Sequence, residues 1–291
     1  MSRLRELRVD DAEDVAALFV SAYVAARQVD AEEIRSWLDN TEIRPEWTRV
    51  LVEDGRVVGY GDIWPHDGED LMLDVAAPGY WAPFLDWAES EARDRGLPCV
   101  RAISPAGHEL GRVCEERGYR YWRSSFTMEI DLDDAPGEPA LPPGFRETAY
   151  RDTAHDTLIA TLNDAFAADV FWHTVEPDDF REFYLRSRGF DPELWTLAWD
   201  GDELAGFALA YDRHGSDEEL GWIGTLGVRE AWRRRGLGEA LLRRSFAKLA
   251  ARGLRRAGLG VDAENVTGAL RLYERAGMHK VGQIDNWAYD L

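Results

Sequence analysis

Residues 226–242 read LGVREAWRRRGLGEALL, and this stretch decides the fold of the second half of the chain. An apolar strand ends at Val228, a turn with Gly236 and Gly238 follows, and an apolar helical face begins there. The first amides of a helix lack intrahelical acceptors and lie at the positive end of the helix dipole. The glycines let the backbone approach a phosphate closely, and the three arginines of residues 233–235 add positive charge. The pattern therefore indicates an anion site at the start of a helix.

One other interpretation of this turn stays open, and one known motif is excluded. A glycine pair before a helix is also typical of a plain tight turn, with residues 233–235 as a solvated charge run. The dinucleotide-binding fingerprint is excluded, because no third glycine follows at the required spacing and no Walker-type lysine is present.

The chain also carries an internal repeat, in which two halves of similar length share the same order of patterns. Gly253 follows Gly96 by 157 positions at the end of the corresponding helices. Val228 follows Val75 by 153 positions at the end of the preceding strands. The first copy therefore lacks four residues between this strand and its helix.

Each copy reads as a strand, one or two helices, three strands, a helix, a strand, a helix and a strand. Asp54-Gly55 and Asp200-Gly201 are hairpin turns between short apolar runs. Such alternation predicts an α/β fold, with a mixed sheet and helices on its faces. Residues 133–144, DDAPGEPALPPG, contain four prolines and two glycines and predict a linker. We therefore expect one domain at 1–132 and a second at 145–291.

Composition excludes several classes of protein. The 291 residues are 45% hydrophobic and 31% charged, which is the balance of a chain that buries a core. A formal charge of −21 argues against nucleic-acid binding, because phosphate contacts need a positive surface. The same charge favours a cationic, amine-bearing substrate over an anionic one, although acidity also serves solubility alone.

The sequence shows neither a membrane segment nor a targeting segment. No apolar run approaches the roughly 18 residues that a membrane span needs. Acidic residues follow Arg3 and Arg5 at once, which is not typical of a secretion signal. Two cysteines, Cys99 and Cys114, and six scattered histidines show no metal-ligand spacing. We expect a soluble cytoplasmic protein, a monomer or homodimer, without a bound metal ion.

Two motifs in the second half together resemble one family. Arg233-x-x-Gly236-x-Gly238, after a hydrophobic strand, is similar to the acyl-CoA loop (Gln/Arg)-x-x-Gly-x-(Gly/Ala) of the GCN5-related N-acetyltransferases. Residues 265–278, NVTGALRLYERAGM, resemble the later motif Asn-x-x-(Ala/Gly)-x-x-x-x-Tyr-Glu-x-x-Gly-(Phe/Met) of that family. The resemblance covers residues 145–291, whereas the first half resembles the family in its strand and helix order. A tandem pair with a degenerate first copy is also similar to the mycothiol synthases.

The resemblance implies two tandem domains, each with a central, mixed, mostly antiparallel sheet and helices on both faces. It also implies acetyl-CoA as the acyl donor, with its pyrophosphate on backbone amides of residues 234–239. The pantetheine arm would pair with the strand edge, and an amide near Val228 would polarise the thioester carbonyl. The implied cofactor-binding residues are Leu226, Gly227, Val228, Arg233, Arg234, Arg235, Gly236, Leu237, Gly238, Glu239, Asn265 and Tyr273.

Acetyl transfer to an amine needs two proton transfers, because the amine arrives as an ammonium ion and the thiolate leaves without a proton. The resemblance implies that Tyr273 is the general acid that protonates the thiolate. Members of the family often carry a basic glutamate on the strand before the loop, but Trp222 stands at that position. Glu218 shares strand parity with Trp222, and Asp262 and Glu264 are equally plausible bases. A water chain to solvent is the remaining alternative.

In this family the segment between the first strand and the hairpin shapes the acceptor site. Here it is rich in aromatic and acidic residues, which suits a cation with some apolar surface. Phe171, Trp172 and Trp222 are the expected substrate contacts. The same pattern is equally typical of an amphipathic helix pair with its aromatic residues in the core.

The first copy departs from both motifs. Its loop, residues 75–80, has no arginine, and Pro78 lacks an N–H donor. Cys114 stands where Tyr273 stands in the second copy, and we interpret it as a buried structural thiol rather than a nucleophile. We expect the first domain not to turn over, and to brace the active domain and wall the substrate cleft.

Together these features predict an acetyl-CoA-dependent N-acetyltransferase that acts by direct attack of a primary amine. The expected acceptor is a small, cationic molecule, with neither nucleic acid nor membrane as a partner. A protein or peptide N-acetyltransferase is the second hypothesis, and a non-catalytic acyl-CoA sensor is the third.

Overall fold

The computed structural model shows two compact units. The first unit comprises Met1–Phe126, Asp262–Glu264 and Gly282–Leu291, and the second comprises Thr127–Val261 and Asn265–Val281. Within the described part of the chain, no helix combines the length and the apolar character that a membrane crossing requires. The structure describes residues 3–23, 29–39, 44–66, 69–133, 140–169, 172–265 and 268–291.

The first unit follows the predicted order of strands and helices. β6 (Arg120–Asp131) belongs to this unit up to Phe126 and to the second unit from Thr127 onward. The helices are α1 (Ala12–Tyr23), α2 (Ala31–Asp39), α3 (Trp81–Arg95) and α4 (Glu109–Glu116). The strands before β6 are β1 (Arg3–Arg5), β2 (Thr48–Glu53), β3 (Arg56–His66), β4 (Asp70–Ala76) and β5 (Cys99–Pro105).

The sheet of the first unit is mixed and covered on both faces. Strands β1 to β4 pair in an antiparallel manner, and β4 and β5 pair in parallel. Phe19 of α1 packs on Tyr60 of β3, with ring centroids 5.6 Å apart. Phe84 of α3 lies against Gly59 and Gly61, where a Cβ would come within 2.8 Å and 2.7 Å of its ring. Because successive strand residues point to opposite faces, α1 and α3 cover different faces.

The last strand of the chain extends this sheet beyond β5. In β12 (His279–Asp290), residues 284–290 pair in an antiparallel manner with residues 105–99 of β5. The bounds of the units therefore differ from the domains 1–132 and 145–291 expected from the sequence. Local patterns predict strands but carry no record of which distant strand covers an edge, and this pairing joins opposite ends of the chain.

The second unit repeats the same order of elements. Its helices are α5 (His155–Phe166), α6 (Pro177–Phe180), α7 (Leu237–Ala251) and α8 (Ala269–Arg275), with a π-helical turn at Arg181–Leu185 after α6. Its strands include β7 (Phe145–Thr148), β8 (Thr196–Asp200), β9 (Glu203–Tyr211), β10 (Leu220–Val228) and β11 (Arg256–Asp262).

The sheet of the second unit is likewise mixed and mostly antiparallel. Strands β7 to β10 pair in an antiparallel manner, and β10 and β11 pair in parallel. Phe207 and Leu209 of β9 belong to the buried cluster that contains residues of α5 and α6. Ala208, between them, packs with Leu237 and Leu241 of α7. The predicted fold class, with helices on both faces, is confirmed.

The predicted turns are also confirmed. Asp54 and Gly55, with φ of 49° and 80°, join β2 to β3, and Gly201, with φ of 60°, stands between β8 and β9. α3 ends at Arg95 before Gly96, and α7 ends shortly before Gly253. Both glycines adopt the left-handed conformation that L residues with a Cβ disfavour, with φ of 70° and 83°.

Candidate active site

The second unit holds the candidate site, at the place where the parallel strands β10 and β11 separate. Their register runs from Leu220 opposite Arg256 to Trp222 opposite Gly258. Both strands continue several residues beyond this point, while β10 stays paired with β9 on its other edge. The edge of β10 that faces β11 therefore offers backbone N–H and C=O groups to a ligand.

A β-bulge bends β10 at the point of separation. The register with β9 shifts between Ile223 and Thr225, which leaves Gly224 as the extra residue. A Cβ on Gly224 would lie 2.9 Å from the ring of Tyr211, so that only glycine fits without displacing the phenol. The bulge also places Thr225 on the sheet face that carries Trp222.

A cavity of about 200 Å³ lies where the two strands separate. β10 and β11 supply part of its wall, aromatic side chains at and beyond the end of α5 supply another part, and α8 supplies a phenol. A volume of this size holds an acyl group and a reacting amine rather than a whole drug-sized ligand. The lining residues are Phe166, Asp169, Trp172, Ile223, Gly224, Thr225, Leu226, Leu259, Gly260 and Tyr273.

The start of α7 has the geometry of an anion site. Its N-cap, Gly236, is left-handed with φ of 81°, and Arg234 is held at φ of 61° two residues earlier. No side chain of the described residues caps this helix. The amide of Ala240 donates to the carbonyl of Gly236 at 3.1 Å, which makes it the first amide bonded within the helix. The amides before it are turned toward the open end of the helix dipole, at Leu237, Gly238 and Glu239.

The three expected arginines have different roles in the structure. Arg233 donates to the backbone carbonyls of Val228 and Ala165, both at 2.9 Å, and thereby fixes the loop. Arg235 lies 4.5 Å over the ring of Phe145 and 3.3 Å from a carboxylate oxygen of Asp200. Arg234 is exposed. Among the described residues, the guanidinium groups of Arg233 and Arg235 form contacts within the protein, whereas none is seen for Arg234. The guanidinium group of Arg234 is therefore the one available to a phosphate.

The strand that leads to this loop is packed tightly on both faces. Leu226 and Val228 pack with Leu237 of α7. Gly227, between them, faces the other side, where a Cβ would lie 2.4 Å from Cζ of Phe207. Glycine is therefore required at position 227, and apolar packing on α7 fixes the end of the strand that leads to the loop.

Helix α8 places Tyr273 in the cavity wall. It packs on the start of α7, because a Cβ on Gly238 would lie 3.3 Å from Cδ1 of Leu272. The side-chain oxygen of Asn265 accepts from the amide of Ala269 at 3.5 Å, at the first turn of α8. Asn265 thus stands at the start of the helix that carries the phenol, rather than beside the cavity.

Tyr273 is 7% exposed, and burial raises the pKa of its phenol to about 12. Among the described residues no side chain or carbonyl is hydrogen bonded to its hydroxyl. The phenol is therefore protonated at neutral pH, since a buried site disfavours the phenolate. This is the protonation state that a proton donor needs.

The carboxylates expected as bases do not line the cavity. Glu218 lies before β10, which begins at Leu220, so its parity with Trp222 does not hold; its side chain is 79% exposed. Asp262 forms an ion pair with Arg123, and Glu264 lies 3.6 Å from the same guanidinium. The sequence could not show either difference, because both depend on where a strand begins and on a distant partner.

The three residues expected to contact the substrate differ in their positions. Trp172 lines the cavity and stacks on Phe166, with ring centroids 4.6 Å apart. Trp222 stacks on His214, with centroids 3.7 Å apart and planes at 13°, and lies outside the lining. Phe171 lies outside the described residues.

Three further residues lie at the cavity but are not among the expected substrate contacts. Asp169 and Thr225 line the cavity, and Tyr184 forms a side-chain hydrogen bond with Thr225. Burial raises the pKa of Tyr184 to about 12, while the bond from Thr225 opposes this shift. Asp169 lies within the segment expected to shape the acceptor site, so its position was available as a signal. Thr225 was not, because the bulge at Gly224 reverses the strand parity.

The first unit lacks this arrangement. Its loop between β4 and α3 carries no arginine, and α3 begins at Trp81 after Gly79, with φ of 77°. The hydroxyl of Tyr23 donates to the carbonyl of Val75, the residue that corresponds to Val228 in the repeat. The ring of Tyr23 also lies 5.8 Å from that of His108. A protein side chain thus occupies the strand end where the second unit is open.

Cys114 is buried in the first unit with no exposed surface. Burial raises the pKa of its thiol to about 12, so it is protonated at neutral pH. Cys99 is also buried, and neither cysteine forms a disulfide. The interpretation of Cys114 as a structural thiol agrees with this environment.

Known proteins share both the sequence pattern and the fold. The sequence model of the acetyltransferase (GNAT) family matches residues 156–278. The mycothiol acetyltransferase of Catenulispora acidiphila is 32% identical over 247 residues, which are 79% of this chain and 76% of the relative. That of Corynebacterium efficiens is 40% identical over 242 residues, 77% of this chain and 74% of the relative. That of Streptomyces scabiei is 33% identical over 184 residues, 61% of this chain and 58% of the relative.

Solved structures extend the comparison to nearly the full chain. A GCN5-related N-acetyltransferase from Sphaerobacter thermophilus matches with a TM-score of 0.82 at 27% identity, covering 99% of this chain and 95% of that chain. A tandem GNAT protein from the clavulanic acid biosynthesis pathway matches with a TM-score of 0.77 at 15% identity, covering 100% and 98%. At 15% identity the likeness shows the fold alone. From the relatives, the loop motif and the separated strands, it follows that the chain belongs to the GCN5-related N-acetyltransferase (GNAT) family and is an N-acetyltransferase.

Proposed function

We propose that this protein transfers an acetyl group from acetyl-CoA to the primary amine of a small, cationic acceptor by direct attack. One observation carries the proposal: the open start of α7 and the cavity that holds Tyr273 lie along the same strand, β10. The unpaired edge beyond Trp222 leads from the cavity toward the helix start. A donor with a reactive thioester at one end and a diphosphate at the other fits this path.

The diphosphate end of the donor would lie on the backbone amides at the start of α7. These amides converge on one point, and the helix dipole favours negative charge there. Glu239 stands in this first turn, but its carboxylate lies 2.7 Å from Arg243 one turn further on. The exposed guanidinium of Arg234 adds a positive charge at the loop. The residues present therefore fit acetyl-CoA.

The thioester end would lie between the separated strands. The edge of β10 offers alternating N–H and C=O groups, which suit the two amides of a pantetheine arm. A backbone amide on this edge would donate to the thioester oxygen and stabilise the negative charge that forms on it during attack. Because the backbone is fixed by packing on α7, this donor is held in place before the reaction begins.

Tyr273 would donate a proton to the leaving thiolate. A phenol with a pKa of about 12 is a weaker acid than a thiol in water, which opposes complete proton transfer. The same dry cavity also raises the pKa of a thiol, so the mismatch is smaller in the site than in water. A hydrogen bond from the phenol stabilises the thiolate even before the proton moves.

A small, cationic acceptor is supported by three observations. The curated relatives are named mycothiol acetyltransferases, after a small molecule rather than a protein. The cavity has a volume of about 200 Å³, and a net charge of −21 on the chain favours the approach of cations.

The test is a binding measurement followed by a thiol-release assay on the full chain. Acetyl-CoA should bind in calorimetry, and a panel of glucosamine, spermidine, kanamycin and a lysine peptide should include amines that trigger thiol release. The acetylated product should gain the mass of one acetyl group. Binding without release for any amine would identify a sensor, and release with the peptide alone would identify a peptide N-acetyltransferase. Absence of acetyl-CoA binding would overturn the proposal.

A further inference from the structure

We infer that Asp169 binds the ammonium group of the acceptor and takes its proton, beside the stacked rings of Phe166 and Trp172. The inference rests on the proposed acetyl transfer and deepens it, because it names the group that recognises a charged amine. Among the described residues that line the cavity, Asp169 is the one with a carboxylate.

The cavity joins the two faces of the sheet. Phe166 and Trp172 pack against the cluster of α5 and the β9 residue Phe207 on one face. Tyr273 comes from α8, which packs on α7 at the other face. The opening between β10 and β11 connects these sides, so a thioester bound on the α7 side meets an acceptor that enters from the α5 side. Asp169 stands on the acceptor side of this passage.

The backbone places Asp169 in the turn that links the two stacked rings. Its amide donates to the carbonyl of Phe166 at 2.8 Å, and the amide of Trp172 donates to the carbonyl of Asp169 at 3.2 Å. The rings of Phe166 and Trp172 are stacked at 18°. A carboxylate beside two aromatic faces attracts an organic cation through both its charge and the ring quadrupoles.

Asn163 holds this arrangement in place. Its side-chain oxygen accepts from the indole N–H of Trp172 at 3.2 Å and from the amide of Val175 at 2.9 Å. Its amide nitrogen donates to the carbonyl of Val175 at 3.1 Å. One side chain thus fixes both the ring wall and the chain that follows it, which keeps the orientation of the site before the acceptor binds.

The position that other members of the family use for a base is closed by an indole here. Trp222 lies against Gly258, where a Cβ would come within 2.9 Å of the ring, and the indole is also stacked on His214. Neither an indole nor a glycine accepts a proton. Asp169 reaches the same cavity from the segment after α5 instead of from β10.

The proposed step balances in atoms and charge. The ammonium ion gives one proton to Asp169, and the free amine attacks the thioester carbonyl, forming the C–N bond. The C–S bond then breaks, and the thiolate takes the proton of Tyr273. The second proton of the new amide nitrogen restores Tyr273, and Asp169 releases its proton to solvent. The net products are an amide, a thiol and one proton.

Other titratable groups around Asp169 bear on the pH dependence of this step. Tyr273 faces it across the cavity. Tyr184 bonds Thr225 on the cavity wall, and the ring of His173 lies 6.3 Å from that of Trp172. On α5, Asp164 is paired with Arg229 at 2.6 Å, so its charge is balanced.

Two CoA derivatives test the binding role without knowledge of the acceptor. S-(2-aminoethyl)-CoA places an ammonium group in the cavity, and S-propyl-CoA has the same size without the charge. In the wild-type chain the aminoethyl derivative should bind more tightly. In Asp169→Asn this preference should fall at least tenfold, with the affinity for S-propyl-CoA unchanged. Asp178→Asn, at a side chain 94% exposed on α6, removes one negative charge elsewhere and should keep the preference.

The base role is tested by the pH profile of thiol release with the fastest amine of the panel. Asp169→Asn should lose at least a hundredfold in kcat/KM at pH 7 and recover as the pH rises, because more of the amine is then already deprotonated. Asp169→Glu should retain part of the rate at pH 7.

The outcomes separate the inference from the proposed function. If neither CoA derivative binds the wild-type chain, the acetyl-CoA site itself is wrong. If both bind and Asp169→Asn keeps the preference for the charged derivative, the role of Asp169 in amine binding is overturned. A pH profile that Asp169→Asn lowers by the same factor at every pH would overturn its role as the base.

Discussion

Trp222 and Gly258 are the last residues that β10 and β11 hold opposite each other, and the indole of Trp222 lies over Gly258. The separation of the strands begins directly beyond this pair. The bulge at Gly224 follows on β10, and the cavity opens from there to Gly260 on β11. A large ring at the last paired position, opposite a residue without a side chain, therefore marks the apex of the cleft.

The fit of this pair predicts the effect of a single methyl group. Gly258→Ala would bring a Cβ within 2.9 Å of Cζ3 of Trp222, and the indole is held in place by its stack on His214. We expect a loss of about 1–3 kcal/mol in the free energy of unfolding, measured in urea. Gly260→Ala on the same strand is the control, because its Cβ would lie 4.0 Å from the indole. Equal stability of the two variants would show that the ring moves freely.

The open start of α7 predicts that a substitution at Gly236 weakens the binding of acetyl-CoA. This effect can be measured separately from a loss of stability. Gly236→Ala places a side chain at φ of 81°, which costs about 1 kcal/mol and turns the neighbouring amides. We expect acetyl-CoA to bind about tenfold more weakly in calorimetry. Gly253→Ala at the other end of α7 imposes the same strain at φ of 83° and should leave affinity unchanged. If both variants lose affinity equally, the effect comes from the stability of the helix.

Tyr273→Phe should keep the affinity for acetyl-CoA and lose roughly 10²–10⁴-fold in kcat, the range typical of a positioned proton donor. A rate equal to that of the wild type would exclude Tyr273 from the mechanism. Because its pKa is raised to about 12, Tyr273 stays protonated up to at least pH 10, and no alkaline decline below that pH should come from it. Tyr211→Phe is a control for the loss of a buried hydroxyl, since the pKa of Tyr211 is also raised by burial and it lies outside the lining.

The raised pKa of Tyr273 also makes the stability of the folded chain depend on pH. The phenol of Tyr273 titrates near pH 10 when the chain is unfolded and near 12 when it is folded. Its contribution to stability is therefore complete below pH 10 and is lost as the pH rises through 12. Tyr273→Phe should unfold with a shallower dependence on pH between 10 and 12, which denaturant titrations at several pH values would show.

Much of the fold was predictable because its signals are local. The Asp-Gly turns, the helix ends before Gly96 and Gly253 and the strand end at Val228 each depend on a few neighbouring residues. The loop from Arg233 to Gly238 was predictable for the same reason, since a helix start, its glycines and its charges all lie within one short stretch.

The remaining features depend on contacts between distant residues. At the bulge of β10 Tyr211 leaves no room for a Cβ on Gly224, and the extra residue changes which residues face the cavity. The ion pair of Asp262 with Arg123 and the structural bonds of Arg233 follow from folding rather than from spacing. Sequence patterns predicted the type of these side chains, but not the partners that they meet.

The structure of the first unit predicts that each chain has a single site for acetyl-CoA. Its corresponding strand end is bonded by Tyr23, and its loop has no arginine. We expect one equivalent of acetyl-CoA per chain in calorimetry, and Tyr23→Phe should keep this value. A second equivalent that Gly236→Ala does not weaken would place an acetyl-CoA site in the first unit.

Cys114 is buried, and burial raises the pKa of its thiol to about 12. It should therefore resist iodoacetamide at pH 8 in the folded protein, and Cys114→Ala should keep the thiol-release rate.

The pairing of β12 with β5 predicts that the end of the chain stabilises the first unit. Trp287 is 9% exposed and belongs to the core of that unit, where a Cβ on Gly111 would lie 3.1 Å from its ring. Trp287→Ala should therefore cost about 3–5 kcal/mol. Asp290→Asn, at an exposed ion pair with Arg120, should cost almost nothing.

Hydrogen exchange would show where this loss falls. In Trp287→Ala the amides of β5 should lose protection first, because their partners on residues 284–290 are no longer held by the buried indole. The amides of β9, within the other unit, should keep theirs. Equal loss in β5 and β9 would mean that the two units unfold together. A fragment that ends before β12 is then a poor test of whether the first unit is active, because it lacks the strand that pairs with β5.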